Sequence, residues 1–251
     1  MRIALISDVH GNLIALEAVL ADIAQAGVDQ IIFLGDLVTF GPQPREAVER
    51  VQALGCPCVL GNHDDFVLAR ERVPHLGWVS EWFAAQLTAV HLNFLRTFQP
   101  AIRVPLDAAG HTLLCCHGSP RSYNENLLAT TAPEVLDEIV DAQTSEVSKT
   151  SEVLVAIACG HTHVPLIRRH QDLLIVNVGS VGMPFAEMPF AGHPVVMPWA
   201  EYGIVAWRNG RLTAELRRLP LDTEPIKKLY RASGLPDMDY FVERWSVWRG
   251  R

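Results

Sequence analysis

Apolar and polar positions alternate between two periods along the first sixty residues. Residues 2–7 (RIALIS) form a short apolar run, as a strand buried on both faces would. Leu13, Leu16, Val19, Leu20 and Ile23 then fall on one helical face, with Asn12 placed to cap the start and Gly27 to end it. Residues 30–34 (QIIFL) read as a second strand. Residues 43–54 read as a second amphipathic helix, opened by Pro44 and Glu46 and closed by Gly55, and residues 57–60 as a short third strand. This β-α-β-α-β order predicts an α/β fold with a mostly parallel sheet.

The pattern changes at 65–98. Trp78, Trp82, Phe83, Leu87, Val90, Leu92, Leu95 and Phe98 stand at helical spacings, which predicts one or two inserted helices. Strands follow at 101–105, 112–116, 153–158, 164–169, 173–176, 203–207 and 211–217. The last two flank Arg208-Asn209-Gly210, a hairpin turn signal. Residues 134–141 read as helix, the polar stretch 142–152 as a surface loop, and 222–248 as one or two amphipathic helices. The whole, residues 1–251, reads as a single domain with a helical insertion at about 65–98 and a loop insertion at about 183–200.

Composition narrows the class. At 49% apolar and 20% charged residues the chain can build an ordinary core, which excludes wholesale disorder. A net charge of −7 counts against a nucleic-acid partner held through phosphates. Arg168-Arg169, Arg217-Arg218 and Lys227-Lys228 are small basic clusters that read as solvated faces. Five cysteines, with no CxxC pair, and a first strand that follows Met1-Arg2 directly point to a reducing cytoplasm and no secretory leader. No apolar run reaches the ~18 residues of a membrane span.

Five short motifs stand at five strand ends. They are Asp8-Val9-His10-Gly11-Asn12, Gly35-Asp36, Gly61-Asn62-His63-Asp64, His117-Gly118 and Gly160-His161-Thr162-His163. Each supplies Asp, His or Asn where strands of an open α/β sheet deliver side chains to a common crevice. Two neighbouring divalent ions need a bridging anionic oxygen, which a carboxylate provides, and neutral imidazole and amide ligands fill other positions without overcharging the site. The alternate spacing in Asp8-x-His10 and His161-x-His163 sets both side chains on one side of an extended strand end.

Together these motifs resemble the calcineurin-like metallophosphoesterase superfamily, over residues 8–163, with the sheet pattern extending to about 217. The resemblance implies a four-layer αββα sandwich of two mixed sheets flanked by helices, with a dinuclear metal site at its edge. It implies that Asp8, His10, Asp36 and His163 hold one metal, and Asp36, Asn62, His117 and His161 the other, with Asp36 bridging. His63 is similar to the family's catalytic histidine, and Asp64 to the acid that orients it; Asp64 also reads as a helix N-cap. Mn²⁺ is the implied ion, with Fe, Zn, Co or Ni as substitutes that the ligand set does not discriminate. The activity implied is attack of a metal-bridging hydroxide on phosphorus, with His63 serving the leaving oxygen.

The stretch Asp36-Leu37-Val38-Thr39-Phe40-Gly41-Pro42 lacks the aspartate and arginine that Ser/Thr protein phosphatases carry there. The chain instead resembles the small prokaryotic phosphoesterase branch, with small phosphodiesters or nucleotides as expected substrates. A phosphomonoesterase or protein phosphatase and a dinucleoside polyphosphate hydrolase are the enzymatic alternatives. A non-catalytic binding scaffold is the other, and the presence of His63 and of every ligand position counts against it. Arg121 and His75 are candidate substrate contacts, each with a surface role as the plainer reading. Asn177-Val178-Gly179-Ser180 is expected to shape the rim behind the His161–His163 loop. The 183–200 insertion, rich in Pro, Met, Phe and Trp, could wall a substrate pocket, contact a second copy or pack on the core. Oligomeric state is not legible.

Overall fold

Strand β1 (Arg2–Ile6) divides its side chains between two cores: Ile3 and Leu5 face one way, Ala4 and Ile6 the other. The same alternation recurs in β4 (His111–Cys116), β5 (Val153–Cys159) and β7 (Leu173–Asn177). Such two-sided strands require a layer on each face. The computed structural model describes residues 1–69, 79–147, 152–187 and 194–245.

The first sheet has the order β2-β1-β8-β9, where β2 is Gln30–Phe33, β8 is Trp199–Arg208 and β9 is Arg211–Pro220. The second has the order β3-β4-β5-β7-β6, with β3 at Ala101–Pro105 and β6 at Leu166–His170. Both are mixed: β1 runs parallel to β2 and antiparallel to β8, and β4, β5 and β7 are parallel neighbours. Ile3, Leu5, Ile32 and Leu34 meet Leu113, Cys115, Ala156, Ala158 and Val176 in the core between the sheets. Helices α1 (Leu13–Ala26) and α2 (Pro44–Leu54) cover the outer face of the first sheet through Leu16, Val19, Val48 and Val51. On the outer face of the second, α6 (Pro133–Val147) packs Leu136 and Ile139 against Leu114, Ile157 and Ile175. This is the expected αββα sandwich.

Local signals set the ends of α1 and α2. The Asn12 side chain accepts the Ala15 N–H, and Gly27 and Gly55 close α1 and α2 in the left-handed region. Between α2 and β3 lie α3 (Asn62–Ala69), α4 (Val79–Gln86) and α5 (Ala89–Leu95). At the chain's end come α7 (Glu224–Ala232) and α8 (Met238–Glu243). No described helix is long and apolar enough to cross a membrane.

Three expectations are corrected. Residues 57–60 make isolated parallel bridges, Phe33 with Cys58 and Val59 with Gln99, rather than a strand of the sheet. Pro57 has no N–H to extend the ladder. The stretch 142–152 is not loop at its start, since α6 continues to Val147; it contains no Gly or Pro before that point, and Ala142, Gln143 and Glu146 are adequate helix formers. Trp199 and Ala200, assigned to the insertion, already belong to β8.

Candidate metal centre

The carboxyl ends of β1, β2, β4 and β5 open on one edge of the sandwich. The loops there are tied across the sheets: Gly160 N–H donates to His117 O, Val181 N–H to Ser7 O and Gly182 N–H to Asp8 O. Two groups of side chains converge on this edge, Asp8 with His10 and His163, and Asp36 with His117 and His161, each with ligand atoms within 4.8 Å of one another. In the first, His163 Nε2 lies 3.2 Å from Asp8 Oδ1 and 3.1 Å from His10 Nε2. In the second, His117 Nε2 is 3.3 Å from Asp36 Oδ2 and 3.1 Å from Asn62 Oδ1. Asp36 Oδ2 is also 3.7 Å from His10 Nε2, so one oxygen faces both groups.

The backbone is bent to make this arrangement. Asp8, His10, Asp36, His161 and His163 all have φ between 47° and 66°, a region that side-chain-bearing residues rarely enter and that concentrates at functional sites. Two glycines admit the carboxylates. A Cβ at Gly61 would overlap Asp36 Oδ1, and one at Gly160 would overlap Ser7 Oγ and Asp8 Oδ2.

The donor set fits divalent cations. His163 Nδ1 donates to the Met183 carbonyl at 2.6 Å and His117 Nδ1 to the Leu34 carbonyl at 2.7 Å, which turns Nε2 of each toward the carboxylates. Asp8 Oδ1 is buried and accepts no hydrogen bond despite the nearby His163 ring. A cation would satisfy it. Burial pushes the Asp8 and Asp36 carboxyls up, but neighbouring histidines, His163 for Asp8 and His117 for Asp36, outweigh burial and hold both below the usual range. His117 shows the reciprocal effect: burial opposes its proton, yet Asp36, Asp8 and the Leu34 carbonyl raise it to about 9. Burial and His163 push His10 down to about 3, and burial and His117 push His161 down to about 4.

Asp64 departs from its expected part. Its Oδ2 accepts the Asp36 N–H at 2.8 Å and the Gly61 N–H at 3.3 Å, and its Oδ1 accepts the Leu37 N–H at 2.9 Å and the Val38 N–H at 3.3 Å. Its oxygens therefore serve the loop that carries Asp36, while His63 Nδ1 is buried without a hydrogen-bond partner. Burial and Asp36 raise the Asp64 carboxyl to about 7, against the Leu37 and Val38 N–H groups, which favour its ionised form. Nor does Asp64 cap a following helix, since it lies in the first turn of α3. His63 meets the centre at two points: its backbone N–H donates to Asp36 Oδ1 at 2.9 Å, and its ring stands edge-on to His10 with centroids 5.2 Å apart.

Other residues named from the sequence make different contacts. Arg121 is ion-paired with Glu125 and Glu138, neither of which belongs to the two groups. His75 lies outside the described residues. His91 caps α5 with Thr88, and His111 and His170 pair with Asp107 and Asp137. Asn177 Nδ2 donates to the Gly160 carbonyl and Ser180 Oγ to the Asp8 carbonyl, which props the rim from behind. The sequence reading did not single out Phe40 and Phe66. Phe40 packs on His10 and His63 at 5.3 and 4.6 Å, and Phe66 on His63 at 5.5 Å. For Phe40, an aromatic residue directly before the Gly41-Pro42 turn signal was the available cue.

Residues 1–196 match the family model of the calcineurin-like phosphoesterase superfamily domain. The crystal structure of a metallophosphoesterase from Sphaerobacter thermophilus superposes with a TM-score of 0.72 at 31% identity, covering 97% of this chain and 98% of that one. An uncharacterized protein of Methanocaldococcus jannaschii is 30% identical over 71% of this chain and 69% of its own length. Phosphodiesterase YfcE of Escherichia coli is 26% identical over 75% of this chain and 84% of its own. The chain belongs to the calcineurin-like phosphoesterase superfamily.

Proposed function

We propose that this protein hydrolyses small phosphodiesters or nucleotides with two divalent metal ions, Mn²⁺ first among them. The observation that carries this reading is the position of Asp36 Oδ2, 3.3 Å from His117 Nε2 and 3.7 Å from His10 Nε2, between two groups of ligand type. Asp8, His10 and His163 would hold one ion, and Asn62, His117 and His161 the other, with Asp36 shared. When bound, such a pair lowers the pKa of water and neutralises charge developing on phosphoryl oxygens. The protein's part is to fix the ligands: carbonyls of Leu34 and Met183 set the two imidazole tautomers, and Asp64 pins the Asp36 loop. His63 would give a ring N–H to the departing oxygen, and burial lowers the affinity of its ring for a second proton. Similarity to a phosphodiesterase favours diesters over monoesters.

The test is turnover of bis(4-nitrophenyl) phosphate, 4-nitrophenyl phosphate and a nucleotide panel by metal-stripped protein reloaded with Mn²⁺. Diester turnover that requires the metal and falls at least ~100-fold in His63→Ala and Asp36→Asn is expected. Monoester-only turnover would move the function to a phosphatase. No turnover in protein that binds two ions would favour the scaffold.

A further inference from the structure

Ring contacts at the metal edge run in a continuous order from Phe40 to His10 at 5.3 Å, from His10 to His163 at 4.9 Å, and from His163 to Phe185 at 4.5 Å. Phe185 lies nearly flat on His163, with 23° between the rings. Both phenyl rings are half-buried, packed in part on the core outside the first sheet, and each lies against an imidazole of the edge where the two groups converge. Phe40 is held there at a conformational cost. It and the preceding Thr39 have φ of 64° and 75°, consecutive left-handed positions for a β-branched and an aromatic residue.

The Phe40 ring and the Phe185 backbone are also tied to the C-terminal part of the chain, beyond the matched family region. Phe241 of α8 touches Phe40 at 6.3 Å and stacks on Tyr230 of α7 at 5.8 Å. Phe185 bridges Val196, and Val196 in turn bridges Trp245 and donates its N–H to Arg244 O. A strained loop and C-terminal contacts thus hold the segments that carry two aromatic rings against His10 and His163.

We infer that Phe40 and Phe185 are specificity residues that form a subsite for a planar aromatic substituent of the phosphate ester, an aryl group or a nucleobase. The inference rests on the phosphoesterase reading above. Phenyl walls recognise a ring by offset or edge-on stacking and by apolar contact over its whole face, and a small alkyl group gains much less of that contact. Substrates are then ranked by what the phosphate carries, while the phosphoryl group itself engages the metal edge.

Binding of phenylphosphonate and methylphosphonate to Mn²⁺-loaded protein, measured by titration calorimetry, tests this without turnover. The ratio of the two dissociation constants is the readout, so any general change in affinity cancels. In the parent protein the ring is expected to tighten binding about tenfold. In Phe40→Leu with Phe185→Leu the ratio is expected to collapse to within about twofold, while Phe185→Tyr retains it. Equal affinities in the parent protein, or an undiminished ratio in the double variant, would overturn the subsite and leave the phosphoesterase reading standing. Failure of the parent protein to bind either phosphonate would overturn both.

Discussion

Asp64 accepts backbone N–H groups from Asp36, Leu37, Val38 and Gly61, so one side chain holds the loop that presents the shared carboxylate. Asp64→Asn turns an amide N–H toward some of those donors. It is expected to cost about 3 kcal/mol in urea unfolding and to weaken Mn²⁺ binding about ten- to a hundredfold in a metal titration. An Asp64 that only oriented His63 would leave metal affinity intact. His117 gives a second prediction at this scale. Its folded pKa of about 9 lies above the ordinary histidine value, so in metal-free protein its contribution to stability is present below about pH 6.5 and is lost as pH rises through about 9. NMR titration of the ring is expected to show a midpoint near 9; a midpoint near 6.5 would remove the Asp36 partnership. The convergence of these side chains was legible because Asp, His and Asn sit directly after apolar runs. The role of Asp64 was not, because an acid next to a histidine in sequence says nothing about which backbone amides fold around it.

Helix α1 shows how an element ties to the site. Asn12 Oδ1 accepts the Ala15 N–H and its Nδ2 donates to the Gly182 carbonyl, each at 3.1 Å, so the cap also holds the turn that leads to Met183. Asn12→Ala is expected to cost about 1–2 kcal/mol in denaturant unfolding. Helix α8 is expected to matter more. Phe241→Ala removes a fully enclosed ring and should cost about 3–5 kcal/mol by the same measurement. Capping residues such as Asn12, Gly27 and Gly55 are local and were readable. The 57–60 segment was not, because a four-residue apolar run forms a strand only where a free sheet edge meets it, and here each side supplies a single bridge. The bracing of Phe40 by α8 joins residues two hundred positions apart, which no local pattern encodes.

At the scale of the molecule, the two-residue period of β1, β4, β5 and β7 required two faces to be covered for each sheet, and the three cores follow from that. The edge where the sheets' carboxyl ends coincide then collects Asp and His side chains from both, so metal binding there should stiffen the sandwich as a whole. At a hundredfold excess of free Mn²⁺ over its dissociation constant, stability is expected to rise by about 2.7 kcal/mol per site, and a chelator should return it. The central claim is that Asp36 stands between two metal positions. Anomalous diffraction from Mn²⁺-soaked crystals tests it most directly. Two peaks are predicted, one against Asp8, His10 and His163 and one against His117, His161 and Asn62, with Asp36 touching both. A single peak, or peaks away from Asp36, would contradict it.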